Sequence, residues 1–218
     1  MSDSPGILAV WNDRNPDIEA FYEDWYVNQH LPERVGLPGW RFGRRYEAMD
    51  GVTPQFFTYY ETDAVADMFS DAYIARLNDP TPETVKVMRN WGNMTRTSCA
   101  RHSMRGHCRG AFAVVARVYG AEAIDALEHV AMRAMDDGRA LSVQVWSADT
   151  SMTLSTAESD VRETPDRAIT AALVLDVMRA DALAAARQWL PATLPALPSE
   201  QLSVGAYQFL CEYRPQAA

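Results

Sequence analysis

The sequence predicts an α+β fold in which two βαββαβ halves close an α+β barrel within one chain. Three observations lead there. Residues 1–105 read as strand, helix, strand, strand, helix, strand, from the switching between two-residue and 3.6-residue apolar periods. The same order returns over 106–218, at an offset of roughly a hundred residues. A sheet of this kind covers one face with its helices and leaves the other open, so each half supplies the partner sheet the other needs. No short fixed repeat is present, which sets a solenoid aside.

The first half opens with Gly6 to Asn12 (GILAVWN), an apolar run between Pro5 and Asp13-Arg14-Asn15-Pro16, as expected of a buried strand. Asn15 is placed to cap a helix that carries Pro16 in its first position. That helix is expected to reach about Leu31 and stop at Pro32, because proline biases the residue before it out of the α region. Leu37-Pro38-Gly39 is a turn, Trp40 to Met49 the second strand, and Asp50-Gly51 the turn that follows. Gln55 to Glu61 (QFFTYYE) is the third strand. Thr62 to Leu77 reads as helix with Thr62 or Asp63 as its cap, broken by Asp79-Pro80-Thr81-Pro82, and Glu83 to Arg89 adds a further turn or two. Met94 to about His102 completes the half as its fourth strand.

In the second half, Ala111 to Tyr119 is a strand and Ala121 to Met135 a helix closed by Gly138. Ala140 to Ser147 is a strand, and the polar stretch from Ser147 to Asp166 a long loop. Ala168 to Val177, Arg179 to Leu190 and Ser203 to Tyr213 read as strand, helix and strand, with Pro191 to Pro198 as a connector.

Composition bounds the function. Of 218 residues, 48% are hydrophobic and 22% charged, ordinary values for a globular protein. A net charge of −9 argues against nucleic-acid partners, since phosphate binding needs a basic surface. No apolar run is long enough to span a membrane, and the N-terminus lacks the pattern of a signal peptide. Three cysteines without metal-ligand spacing fit a reduced, cytoplasmic protein and no metal site. Nucleotide, serine-hydrolase and zincin motifs are missing.

One stretch gathers the chemistry: Phe21 to Tyr46, FYEDWYVNQHLPERVGLPGWRFGRRY. Phe21, Tyr22, Trp25 and Gln29 recur on one helix face. His30 falls in the last turn of that helix, where the dipole favours the protonated form. Imidazole suits acid/base work near neutral pH. A helix ending in W-x-x-x-x-H-x-P-E, then a Leu-Pro-Gly turn and an aromatic and Arg-rich strand, resembles the EthD-like branch of the dimeric α+β-barrel (ferredoxin-like) proteins. The residues that carry the resemblance are Trp25, His30, Pro32, Glu33, Leu37-Pro38-Gly39, Arg44, Arg45 and Tyr46, with Tyr59-Tyr60-Glu61 and Ser70-Asp71-Ala72-Tyr73 further on. The resemblance covers about the first hundred residues and specifies fold more than reaction.

Alternation along the second strand places Trp40, Phe42, Arg44 and Tyr46 on one face and Arg41, Gly43, Arg45 and Glu47 on the other. The candidate catalytic residues are His30 as acid/base, Tyr59 as donor to a developing oxyanion, and Arg44, or Arg45 beside it, as holder of an anionic group. Parity leaves open whether Tyr59 or Tyr60 faces the pocket. Trp11, Asn12, Tyr22, Trp25, Trp40 and Arg45 are the expected pocket-lining residues, and His102 is a further residue that points inward if the fourth strand allows. His129, on the corresponding helix of the second half, lacks the surrounding pattern and reads as a packing or surface residue, so the second half is expected to be mainly scaffold. The expected function is a cofactor-independent proton-transfer enzyme, a lyase or isomerase of catabolism, acting on a small aromatic or polyketide-like compound. A haem- or oxygen-dependent monooxygenase and a non-catalytic small-molecule binder are the alternatives, and a homodimer is an open assembly.

Overall fold

The computed structural model describes residues 4–49, 51–151, 155–162, 165–194 and 196–215. The first half runs β1 (Gly6–Arg14), α1 (Glu19–Trp25), a π-helical turn (Tyr26–His30), α2 (Leu31–Val35), β2 (Trp40–Ala48), β3 (Phe56–Thr62), α3 (Asp71–Asn78), α4 (Pro82–Met88) and β4 (Trp91–Arg105). The second runs β5 (Phe112–Val118), α5 (Ile124–Asp136), β6 (Ser142–Ala148), α6 (Ala157–Val161), β7 (Ala171–Val177), α7 (Ala180–Thr193) and β8 (Leu202–Tyr213). The turn predicted at Asp50-Gly51 falls partly outside the described residues.

The strands form one closed antiparallel barrel in the order β1-β3-β2-β8-β5-β7-β6-β4. Each half contributes four neighbouring strands, and the halves meet at two seams, β2 on β8 and β4 on β6. Closure removes every sheet edge. It also buries the open face of each half against the other. The barrel interior is filled by Ile7, Trp11, Tyr46, Phe57, Tyr59, Trp146 and Tyr207 among others. Outside it lie two further cores. One packs α5 and α7 onto the second half, and one packs the first half's helices onto Leu8, Val10, Phe56 and Tyr60.

Four sequence expectations are corrected. Pro32 does not end the helix: Tyr26–His30 widens into a π turn, with the Leu31 N–H bonding Tyr26 C=O, and α2 continues to Val35. The wider turn gives the proline ring room where a regular turn would clash with the preceding carbonyl. His30 is therefore in mid-helix rather than at a C-terminus. Thr62 to Leu77 is not one helix either. The Thr62 hydroxyl bonds Ala64 C=O at 2.7 Å, Val65–Phe69 is a 3-10 turn, and Ser70 caps α3 by accepting the Tyr73 N–H at 3.3 Å. Third, α7 passes through Pro191 to Thr193. Fourth, β4 is longer than expected and carries a bulge between Arg101 and Ser103. The bulge breaks the strand's alternation, and His102 lies exposed rather than inside the barrel.

Candidate functional site

Two-residue alternation sends every second strand residue to the barrel interior and the others toward the helices. On β1, Trp11 faces inward, whereas Asn12 faces the helices and donates to the Tyr22 hydroxyl at 3.1 Å. On β3, Phe57 and Tyr59 face inward, and Tyr60 faces the helices. On β2 the alternation breaks. Trp40 pairs with Thr62 and Phe42 with Glu61, leaving Arg41 as a bulged residue. The bulge moves Trp40 to the helix side while Phe42, Arg44 and Tyr46 point into the barrel, which corrects the single face expected for the four.

The expected site residues thus separate into two groups with a sheet between them. Trp11, Arg44 and Tyr59 lie in the barrel. There Arg44 is ion-paired with Glu212, and the neighbouring Arg109 bonds Asp176 at 2.8 Å. The Tyr59 hydroxyl is buried beside Gln144 without a well-formed hydrogen bond, on the barrel side of the sheet, away from the His30 cavity. His30, Asn12, Tyr22, Trp25, Trp40 and Arg45 lie together under the helices of the first half.

His30 is 6% exposed. Its ring stacks on Trp25 at 4.4 Å and meets Tyr26 edge-on at 5.1 Å. Tyr60 and Trp91 close two more sides at 6.4 and 6.2 Å. The Trp25 indole N–H donates to Thr84 Oγ1 at 3.3 Å, which fixes the stacking ring from α4. The imidazole Nδ1 has no hydrogen-bond partner. Burial, and then the charges of Arg34 and Arg45, hold the His30 pKa well below its ordinary value. His30 is thus a neutral imidazole at physiological pH, not the protonated group its expected position implied.

Arg45 is built in as structure. Its guanidinium lies over Tyr22, Tyr26 and Phe56 at 4.9, 4.4 and 4.6 Å and pairs with Glu23. Trp40 packs behind the site, 5.5 Å from Tyr60 and 4.8 Å from Tyr73.

A cavity opens beside His30, walled by Tyr26, Tyr60, Tyr73, Trp91 and Met94. Its free space is about 30 Å³, enough for a water or two. Its far end holds Arg34, Arg96, Glu158 and Arg162, none of which the sequence reading singled out. Arg34 lay past Pro32, where the sequence reading ended the helix; only the continuation of α2 to Val35 puts it one turn beyond His30. Glu158 carried no signal: it belongs to α6 of the second half and pairs with Arg34 across 124 residues of chain. The cavity therefore draws on both halves. Burial raises the Tyr60 pKa well above its ordinary value, so its hydroxyl keeps its proton. That hydroxyl lies beside Tyr26 without a well-formed hydrogen bond.

The remaining histidines are at the surface. His102, His107 and His129 are exposed, and the His129 ring bonds Asp125 C=O at 2.7 Å. Among the described residues, no group of three His, Cys, Asp or Glu is arranged to hold a metal ion. The cavity beside His30, about 30 Å³, is far smaller than a haem and does not hold one as it stands.

No family model matches the sequence, and no curated protein matches it. Solved structures do match, over nearly the whole chain. An anthrone oxidase-like protein aligns with a TM-score of 0.62 at 10% identity, covering 99% of this chain and 95% of its own. A monooxygenase candidate from Fusobacterium nucleatum aligns at 0.56 and 9% identity, covering 98% and 96%. A chlorite dismutase candidate aligns at 0.53 and 7% identity, covering 96% of each chain. The fold is the one these structures share, and here an eight-stranded antiparallel α+β barrel is closed within one chain. No helix among the described residues is long and apolar enough to cross a membrane.

Proposed function

We propose that this protein is a cofactor-independent enzyme whose His30 removes a proton from a small aromatic or polyketide-like compound. The observation that carries the reading is a neutral, buried imidazole with an unpartnered nitrogen beside a tyrosine- and tryptophan-walled cavity. A base must be deprotonated to act, and burial keeps this one so. Tyr60, rather than Tyr59, would donate to the oxyanion that forms when the carbanion delocalises onto a carbonyl. Proton return at another carbon is isomerisation, and loss of a leaving group is a lyase step. The first half would supply the base and the second half, through α6, the cover. A cytoplasmic location and a small-molecule substrate go with this reading. A homodimer is compatible with it but is not needed to close the barrel.

A second reading follows from the printed names of the fold neighbours, an anthrone oxidase-like protein and a monooxygenase candidate. The same carbanion would then be oxidised by O₂ instead of being reprotonated. Both readings share the first step. The test is exchange of an acidic C–H of anthrone- or naphthol-type compounds with D₂O, followed by NMR, with an oxygen electrode run alongside. Catalysed exchange that falls about 10²–10⁴-fold in His30→Gln supports the base. Oxygen uptake selects the second reading. Binding of such compounds without exchange or uptake would leave a non-catalytic binder.

A further inference from the structure

Arg34 and Glu158 are 2% and 5% exposed and form an ion pair at the end of the His30 cavity. The pair uses one guanidinium nitrogen, Nη2, and Nη1 is buried without a partner. The surrounding charge is lopsided. Arg162 bonds Asp166 at 2.9 and 2.7 Å and the Glu158 C=O at 3.2 Å, and Arg96 donates to the Tyr73 hydroxyl at 2.9 Å. Among the described residues here, three guanidinium groups face two carboxylates.

The free space of about 30 Å³ takes no aromatic ring. Room has to come from a wall, and α6 is a short one that the second half lays over the first. It is a five-residue helix, tied to the first half by Glu158 and by the Ala157 N–H bonding Asn78 Oδ1 at 3.1 Å. Moving α6 away strips Arg34 of its counter-charge. A buried guanidinium left unpaired is strongly unfavourable, so a neutral ligand that displaces Glu158 gains little. A ligand that brings its own anionic oxygen replaces what it removes.

We propose that Glu158 holds the place of a ligand anion: the cavity takes aromatic compounds bearing a carboxylate or an ionised enol, whose oxygen replaces the Glu158 carboxylate on Arg34. The inference rests on the cavity being the substrate site. It deepens that reading by assigning the substrate's charge and the residue that selects it. Arg34 has both the free nitrogen and the planar fork that a two-oxygen anion needs.

The probes are 2-naphthoate and its neutral counterpart 2-naphthamide, titrated by calorimetry into the full chain while NMR follows the His30 ring proton. The expected result is a preference for naphthoate of about tenfold or more. Glu158→Gln should tighten naphthoate by about tenfold, because the competing charge is gone. Arg34→Gln should bring the two probes to within about threefold, and Arg34→Lys should keep part of the preference. Ratios taken within each variant are insensitive to a loss of folded protein. Equal affinity for the two probes, an unchanged naphthoate affinity in Glu158→Gln, or no binding of either probe overturns the proposal. If both probes bind equally and shift the His30 signal, the cavity remains the site and only the anion exchange fails. If naphthoate is preferred but His30 does not respond, the site lies elsewhere and the cavity reading fails with it.

Discussion

At the residue scale, the environment of His30 sets both its chemistry and its contribution to stability. As a neutral base it should give a pH–rate profile that is flat from about pH 7 down past the free-imidazole value of about 6.5, with loss only at lower pH. A profile that halves near 6.5 would place the base outside the cavity. The stability sign follows from the same shift. The folded-state pKa is depressed, so below about 6.5 the unfolded chain binds a proton that the folded one refuses. Stability is therefore expected to rise with pH up to that value and then level off. His30→Gln should flatten this part of the melting-temperature curve. A helix-capping histidine would cost about 1 kcal/mol on removal. This ring is stacked and buried, and His30→Ala is expected to cost about 2–5 kcal/mol. That cost is why glutamine, and not alanine, is the informative substitution, with His129→Ala as the surface control.

The two tyrosines of β3 give a second test at the same scale. Tyr60→Phe should lower turnover about 10²-fold or more, as loss of an oxyanion donor does. Tyr59→Phe should leave turnover near wild type and change stability little, because its buried hydroxyl makes no well-formed hydrogen bond with its neighbour Gln144. The opposite outcome in steady-state assays of the pair would move the chemistry into the barrel.

Elements position the site through two departures from regularity. The π turn at Tyr26–His30 lets one helical stretch carry Trp25, His30 and, past Pro32, Arg34. The Arg41 bulge resets the parity of β2, so that Trp40 backs the cavity while Arg44 enters the barrel. Between them, Gly43 allows β2 to approach both α2 and β3. A Cβ there would sit 2.8 Å from Leu31 Cδ2 and 2.8 Å from the Tyr60 ring. Gly43→Ala is expected to cost about 1–3 kcal/mol by overpacking, and to weaken ligand binding by pushing on Tyr60. Denaturant melts together with probe titration would show it. A variant as stable as wild type would mean that Tyr60 has room to yield.

For the whole molecule, the interior aromatics of each half are covered only by the other half. Residues 1–105 alone would expose Trp11, Tyr46, Phe57 and Tyr59, together with β2 and β4 as open edges. The expected behaviour in size-exclusion chromatography with light scattering is self-association or aggregation. A folded monomer of that half would show that closure is dispensable.

The sequence determined the element order, the repetition of that order and the presence of two open sheet faces, which together dictate a barrel. It also marked Trp25 and His30 as parts of one helical stretch, five residues apart; the π turn between them is what stacks the two rings. These features are local, carried by apolar period and by turn chemistry within a few residues. The tertiary structure decided which face each strand residue takes, because a single bulged residue at Arg41 or His102 reverses parity without changing the apolar pattern enough to be read. It also decided that His30 is neutral, because desolvation depends on the rings of Tyr60 and Trp91, which reach it from β3 and β4. And it alone brought Glu158 to Arg34, a contact that exists only once the two halves have closed the barrel around each other.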